Sequence, residues 1–145
     1  MNKPGLQIRL AFRHSQQLLR RDAVDVCFRA YDLLFACYPE LVNALPDNRY
    51  DHPDLSALFS RYSWESRAGT RAVTRILDII QPRSESELMA CVALVNQCVL
   101  KAIKDVSPEP VNDTLMEMYR WLLDYRTMRA VAAHPYQGRH ASASS

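Results

Sequence analysis

Along most of this chain apolar residues recur at three- and four-residue intervals, and nowhere do they alternate one by one over the length of a strand. The first spacing is that of helices with one buried stripe. It predicts a first helix over Leu6 to Leu19 and a second over Asp22 to Cys37. The second carries Val24, Cys27, Phe28, Tyr31, Leu34 and Phe35 on its stripe, with Leu34 and Phe35 expected to meet the last helix. Tyr38-Pro39 breaks the pattern, because a residue before proline avoids the helical region. A single turn over Pro39 to Ala44 and a polar loop over Leu45 to Pro53 follow. A long helix is expected from about Pro53-Asp54 towards Gln81, with proline suited to its first position. Gly69 weakens it by about 1 kcal/mol relative to alanine, and Pro82 ends it.

Ser84-Glu85-Ser86-Glu87 has the form of a capping box, in which the serine accepts from a first-turn amide and the glutamate reaches back. The helix it opens carries Leu88, Cys91, Val92, Val95, Val99 and Ile103. Ser107-Pro108-Glu109 reads as a second start signal. The final helix then presents Leu115, Met118, Tyr119, Leu122 and Tyr125 as its stripe, with Trp121 beside it. The expected organisation is one domain over residues 1–133 and a mobile polar tail over 134–145.

Composition narrows the class without naming a function. A chain of 145 residues with 48% hydrophobic and 23% charged residues suits one soluble domain. A net charge of +2 gives no electrostatic footprint for nucleic acid. No uninterrupted apolar run approaches the roughly 20 residues of a membrane span. Arg9 and Arg13 interrupt the nearest candidate for a signal-peptide core, so a cytoplasmic location is expected. Cys27, Cys37, Cys91 and Cys98 fit that compartment as reduced, buried thiols. Cys91 and Cys98 lie a heptad apart and share a helix face.

Candidate chemistry is sparse. His14, His52, His134 and His140 lack zinc-ligand spacing, so no metal site is expected. There is no glycine-rich phosphate loop and no nucleophile elbow, and three glycines offer little scaffold for an oxyanion hole. The chain therefore reads as non-catalytic. Arg67, Arg71 and Arg75 are spaced by four and line one ridge, either as a basic stripe for an acidic partner or as a solvated face paired with Glu65 and Asp78. Phe59, Tyr62 and Trp64 cover more than one helix face. Met116, Trp121, Tyr125 and Met128 supply more large apolar side chains than one inward stripe needs. Such residues are enriched at interface cores, which points to a homodimer, or a helical protein partner, seated on Leu88–Ala132.

The region Leu18 to Leu45 resembles the opening of bacterial globins and of flavohaemoglobin globin domains. Leu18-Leu19, Tyr31, Leu34-Phe35 and Pro39-Glu40-Leu41 follow that family's order and intervals. Ala57-Leu58-Phe59 is similar to the start of its distal helix, and Ser107-Pro108 to the corner before its last helix. The resemblance covers most of the chain, but only residues 18–45 are specific. It implies an all-α, globin-like fold of about six helices, with Tyr31 in the place of the distal tyrosine. It also implies a pocket drawn from Tyr31, Phe35, Leu45, Leu58 and Cys98.

Two departures fall on the haem pocket. Leu45 stands where those globins place a phenylalanine against the porphyrin, and no histidine occurs between His52 and His134, where the proximal ligand belongs. The region before Ser84 is correspondingly short. The expectation is a non-haem, globin-like regulatory or protein-interaction module without a cofactor, its interior filled by side chains or a small apolar ligand. The alternatives are a haem protein for oxygen or nitric oxide with an atypical axial ligand, such as a Cys91 or Cys98 thiolate or Met89, and a plain helical adaptor.

Overall fold

The structure, a computed structural model, describes residues 5–44 and 67–133. All regular structure among them is helical: α1 (Leu6–Arg21), α2 (Ala23–Cys37), α3 (Glu40–Ala44), α4 (Arg67–Ile80), α5 (Glu85–Val106) and α6 (Asp113–Ala133). The all-α class expected from the periodicity is what the chain adopts. Leu45, Leu58, the Phe59–Tyr62–Trp64 group, the loop after Ala44 and the polar tail lie outside the described residues.

Local chemistry sets the helix ends. Asp22 serves two helices at once: its amide donates to the Leu19 carbonyl at 3.1 Å, and its own carbonyl accepts from Val26 at 3.0 Å. The first helix therefore runs two residues beyond Leu19. Tyr38 closes α2 by donating its amide to Leu34 at 2.7 Å, and Pro39 prevents continuation. Gln81 ends α4 with φ 54°, the one non-glycine residue with positive φ among the described residues. A left-handed backbone costs a side-chain-bearing residue roughly 1–2 kcal/mol. Gln81 accepts it while donating its amide to Leu77 at 2.8 Å, and Pro82 follows.

Ser84 caps α5 as expected, its Oγ accepting from the Glu87 amide at 3.1 Å. The return bond lands one residue early: Glu87 Oε2 accepts from the Arg83 amide at 2.7 Å, which also fixes the link after Pro82. The expected start of the last helix at Ser107-Pro108 is corrected. Ser107 instead closes α5, donating its amide to Ile103 at 3.0 Å and its hydroxyl to the Glu109 carbonyl at 2.7 Å. Pro110 then keeps Glu109 out of the helical region. The cap of α6 is Asn112, whose Oδ1 accepts from the Leu115 amide at 2.9 Å.

The core forms where α2 lies on α5. Val26, Cys27, Ala30, Tyr31 and Leu34 meet an α5 stripe that includes all six residues expected from the sequence. Helix α2 packs chiefly on α5, which corrects the expectation that Leu34 and Phe35 would face the last helix. Val24 is exposed rather than on the buried stripe. The Arg29–Asp105 pair at 3.1 Å ties the middle of α2 to the end of α5, and Tyr38, just past α2, meets Cys91 near the start of α5, so the two helices run antiparallel. Desolvation is the largest single influence on the Asp105 carboxyl and raises it, but Arg29 and Lys101 together outweigh it and hold the group below its usual range.

Helix α6 closes the bundle against α4, α5 and α1. Its buried Tyr119 packs its ring 4.6 Å from Phe12 and shares a 2.9 Å hydrogen bond with Ser15. By length and composition α5 could also cross a bilayer, because Asn96 and Gln97 interrupt its apolar run without adding charge, and more than half of that stretch is buried in the bundle.

Candidate functional site

Three of the five residues assigned to a pocket lie among those described, and only two share one environment. Tyr31 is fully buried, its ring stacked on Phe35 at a centroid distance of 5.9 Å and an angle of 29°. Phe35 is partly buried against the core. Cys98 is buried in α5, but its thiol donates to the sulfur of Cys37, not to the Tyr31–Phe35 pair. Leu45 and Leu58 lie outside the described residues.

The thiols divide by environment. Cys27 is fully buried, and burial pushes its thiol from 9.0 up to about 12. Burial, and next the neighbouring Cys37, push the Cys98 thiol up to about 11. Burial also raises Cys91, partly offset by the hydroxyl of Tyr38, which donates to its sulfur. The Tyr38 hydroxyl is pushed up to about 12, by burial first and then by Cys91. Cys37 breaks the expected pattern of four buried thiols: it is the last residue of α2 and is exposed.

The arginine ridge is less uniform than its spacing implies. Arg71 is exposed and Arg75 partly buried, while the Arg67 side chain is outside the described set. Arg71, Arg75 and Asp78 each engage a partner within the fold. Among the described residues no group of three histidine, cysteine or carboxylate side chains could hold a metal ion.

Among the described residues the outer face of α6 gathers three large exposed apolar side chains. Trp121 is 43% exposed, Tyr125 42% and Met128 46%. The Trp121 and Tyr125 rings stack at 5.8 Å and 15°, and the Arg129 guanidinium lies 6.0 Å from the Tyr125 centroid. A cation over an aromatic face contributes on the order of 0.5–1 kcal/mol at an exposed site. Two sequence assignments change here. Met116 packs partly buried against the core instead of joining the outer face. Tyr125 is outward, because the buried stripe runs from Leu122 and Leu123 to Arg126, Thr127 and Val131.

Sequence reasoning missed the polar residues on that stripe. Asn96 Nδ2 donates to Asp124 and to Thr127, each at 3.0 Å, and the Thr127 hydroxyl donates to the Leu123 carbonyl at 2.8 Å. Asn96 lies four residues after Val92 and three before Val99, a position on the apolar stripe. That placement is the signal that could have revealed it. Arg126 is buried beside this trio, and desolvation lowers its affinity for a proton. The network ties α5 to α6 in one register and so fixes which α6 residues face outward.

No protein-family model matches the chain. No curated protein and no solved structure matches it either.

Proposed function

We propose that this chain is a non-catalytic, non-haem, globin-like association module that pairs with a second copy of itself through the outer face of α6. The supporting observation is a single row of exposed residues at four-residue spacing: Glu117, Trp121, Tyr125 and Arg129. The row has aromatic residues at its middle and opposite charges at its two ends, so it is complementary to its own reverse. A two-fold axis crossing the outer face between Trp121 and Tyr125, with the helices antiparallel, sets Trp121 against Tyr125 of the second copy. The same axis sets Glu117 against that copy's Arg129. A two-fold interface must be self-complementary in this way, and a foreign partner imposes no such symmetry. A row of residues four apart is also the ridge that interdigitates in the commonest class of helix packing, crossing near −50°.

Other exposed apolar residues fit this role less well. Leu6 and Leu10 on α1 are exposed but aliphatic, with no aromatic anchor. The globin-like part of the reading is supported by the residues 18–45 pattern and by burial of Tyr31. Its non-haem part is supported by the histidine-free interval and by Leu45. Regulation enters as the role such a module would play, by changing its association. A cytoplasmic location belongs to the same proposal.

Tryptophan emission tests the proposed pairing. The chain has two tryptophans, Trp64 and Trp121, so Trp64→Phe leaves one reporter on the face in question. Its emission is expected to shift to the red on dilution as Trp121 returns to water. Emission independent of concentration, at the wavelength of exposed indole, contradicts the pairing.

A further inference from the structure

The antiparallel packing of α2 on α5 brings two cysteines from distant parts of the chain together. Arg29 meets Asp105 near one end of the pair, and Tyr38 meets Cys91 near the other. The Arg29–Asp105 pair sets the register of the antiparallel helices, and eight residues further along α2 Cys37 falls opposite the turn of α5 that carries Cys98, whose thiol donates to the Cys37 sulfur. Cys37 is open to solvent, and Cys98 is 6% exposed. One thiol is thus reachable by a small oxidant, and the second sits behind it within the fold. That is the arrangement of an attacking and a resolving thiol.

We propose that Cys37 and Cys98 form a reversible thiol–disulfide site that takes a hydroperoxide as oxidant and a small dithiol or monothiol as reductant. The Cys37 sulfur, as thiolate, attacks the distal oxygen of the hydroperoxide. The O–O bond breaks, and the leaving alkoxide or hydroxide takes a proton from water. Cys37 is then a sulfenic acid. The Cys98 sulfur attacks the Cys37 sulfur, the S–O bond breaks, and the hydroxide leaves as water with the proton Cys98 gives up. In sum two thiols are oxidised by two electrons, and one hydrogen peroxide becomes two waters. Two equivalents of thiol reverse the step by exchange. Protonated Cys98 is pushed up to about 11, so it spends its proton in the second step and the closure quickens as pH rises.

The bond would close a loop of roughly 60 residues and tie α2 to α5, where the core is densest. The oxidised chain is therefore expected to melt roughly 5–15 °C above the reduced chain. Cys91 is not part of the pair: it is buried and faces Tyr38.

The test uses the full chain at stoichiometric hydrogen peroxide, followed by intact mass and a tryptic map without reductant. A loss of about 2 Da is expected, reversed by dithiothreitol. The map should join the peptide Ala30–Arg49 to Ser84–Lys101, with fragmentation placing the bond on Cys98. Cys37→Ser and Cys98→Ser should each abolish the mass loss, and Cys91→Ser should retain it. If a Cys98 variant does not fold, the wild-type map decides alone. A bond on Cys91, a Cys37–Cys37 link between two chains, or Cys37 carried to a sulfinic acid while Cys98 stays free would each overturn the proposal.

Discussion

Leu34→Ala is expected to lower stability by about 3–5 kcal/mol, the range for a buried leucine whose cavity cannot collapse. Leu34 is fully buried on the face of α2 that meets α5, and its neighbours belong to two rigid helices of 15 and 22 residues. Phe35→Ala should cost less, roughly 2 kcal/mol, because that ring is only partly buried and loses mainly its stack on Tyr31. Tyr31→Phe removes a hydroxyl alone and should cost on the order of 1 kcal/mol. Urea unfolding of the three variants measures the order. A Phe35→Ala cost above that of Leu34→Ala would mean that α2 is rotated about its axis from the position described.

High pH should destabilise the protein steeply through its buried thiols. The folded-state value of Cys27 is raised from 9.0 to about 12, and that of Cys98 to about 11. A raised folded value contributes stability that is complete below the unfolded value, near pH 9, and is lost as pH climbs towards the folded one. The unfolded chain releases these protons first, so the loss approaches about 1.4 kcal/mol per pH unit for each thiol. Near pH 10.5 the two together should remove roughly 4 kcal/mol. Cys91, raised in the same direction, adds to this, and Tyr119 joins above pH 10.0. Urea midpoints should therefore hold steady up to about pH 8.5 and fall quickly beyond pH 9. Cys27→Ala should make the fall shallower by one proton. Midpoints that stay level to pH 11 would contradict the burial assigned to these thiols.

Much of the fold was legible because helix ends are decided by neighbours in sequence. Pro39, Pro82 and the Ser84 cap act within a few residues, and periodicity marks six buried residues of α5 while leaving out Asn96, Leu100 and Ala102. Where two local signals competed, the reading failed. Ser107 and Asn112 both look like caps, and Pro110 decides between them by denying Glu109 a helical backbone. The α2–α5 pairing was not legible, since periodicity shows that a face is buried but not what covers it. The contact between Cys37 and Cys98 depends on that pairing and was hidden for the same reason.

The outer face of α6 was half legible. A surplus of large apolar residues was visible, and Trp121, Tyr125 and Met128 are indeed exposed. Met116 reads as one of them in sequence, because an apolar side chain fits either face. Tyr125 also fits the inward stripe in sequence, because hydrophobic patterning prefers an aromatic residue to the adjacent Arg126. In the fold Arg126 and Thr127 lie inside, the latter held by the polar network with Asn96. That network turns Tyr125 outward and completes the row from Glu117 to Arg129.

Mass in solution, measured by light scattering on the intact chain across a wide concentration range, tests the proposed pairing most directly. The wild type should approach twice its monomer mass of 16.7 kDa, and Trp121→Glu should remain at the monomer mass with its helical circular dichroism unchanged. The exchange Glu117→Arg with Arg129→Glu preserves the charge symmetry and should still dimerise, whereas Glu117→Arg alone sets like charges together and should weaken pairing. A wild type that stays at monomer mass at every concentration, or a Trp121→Glu variant that dimerises as well as the wild type, would contradict the account.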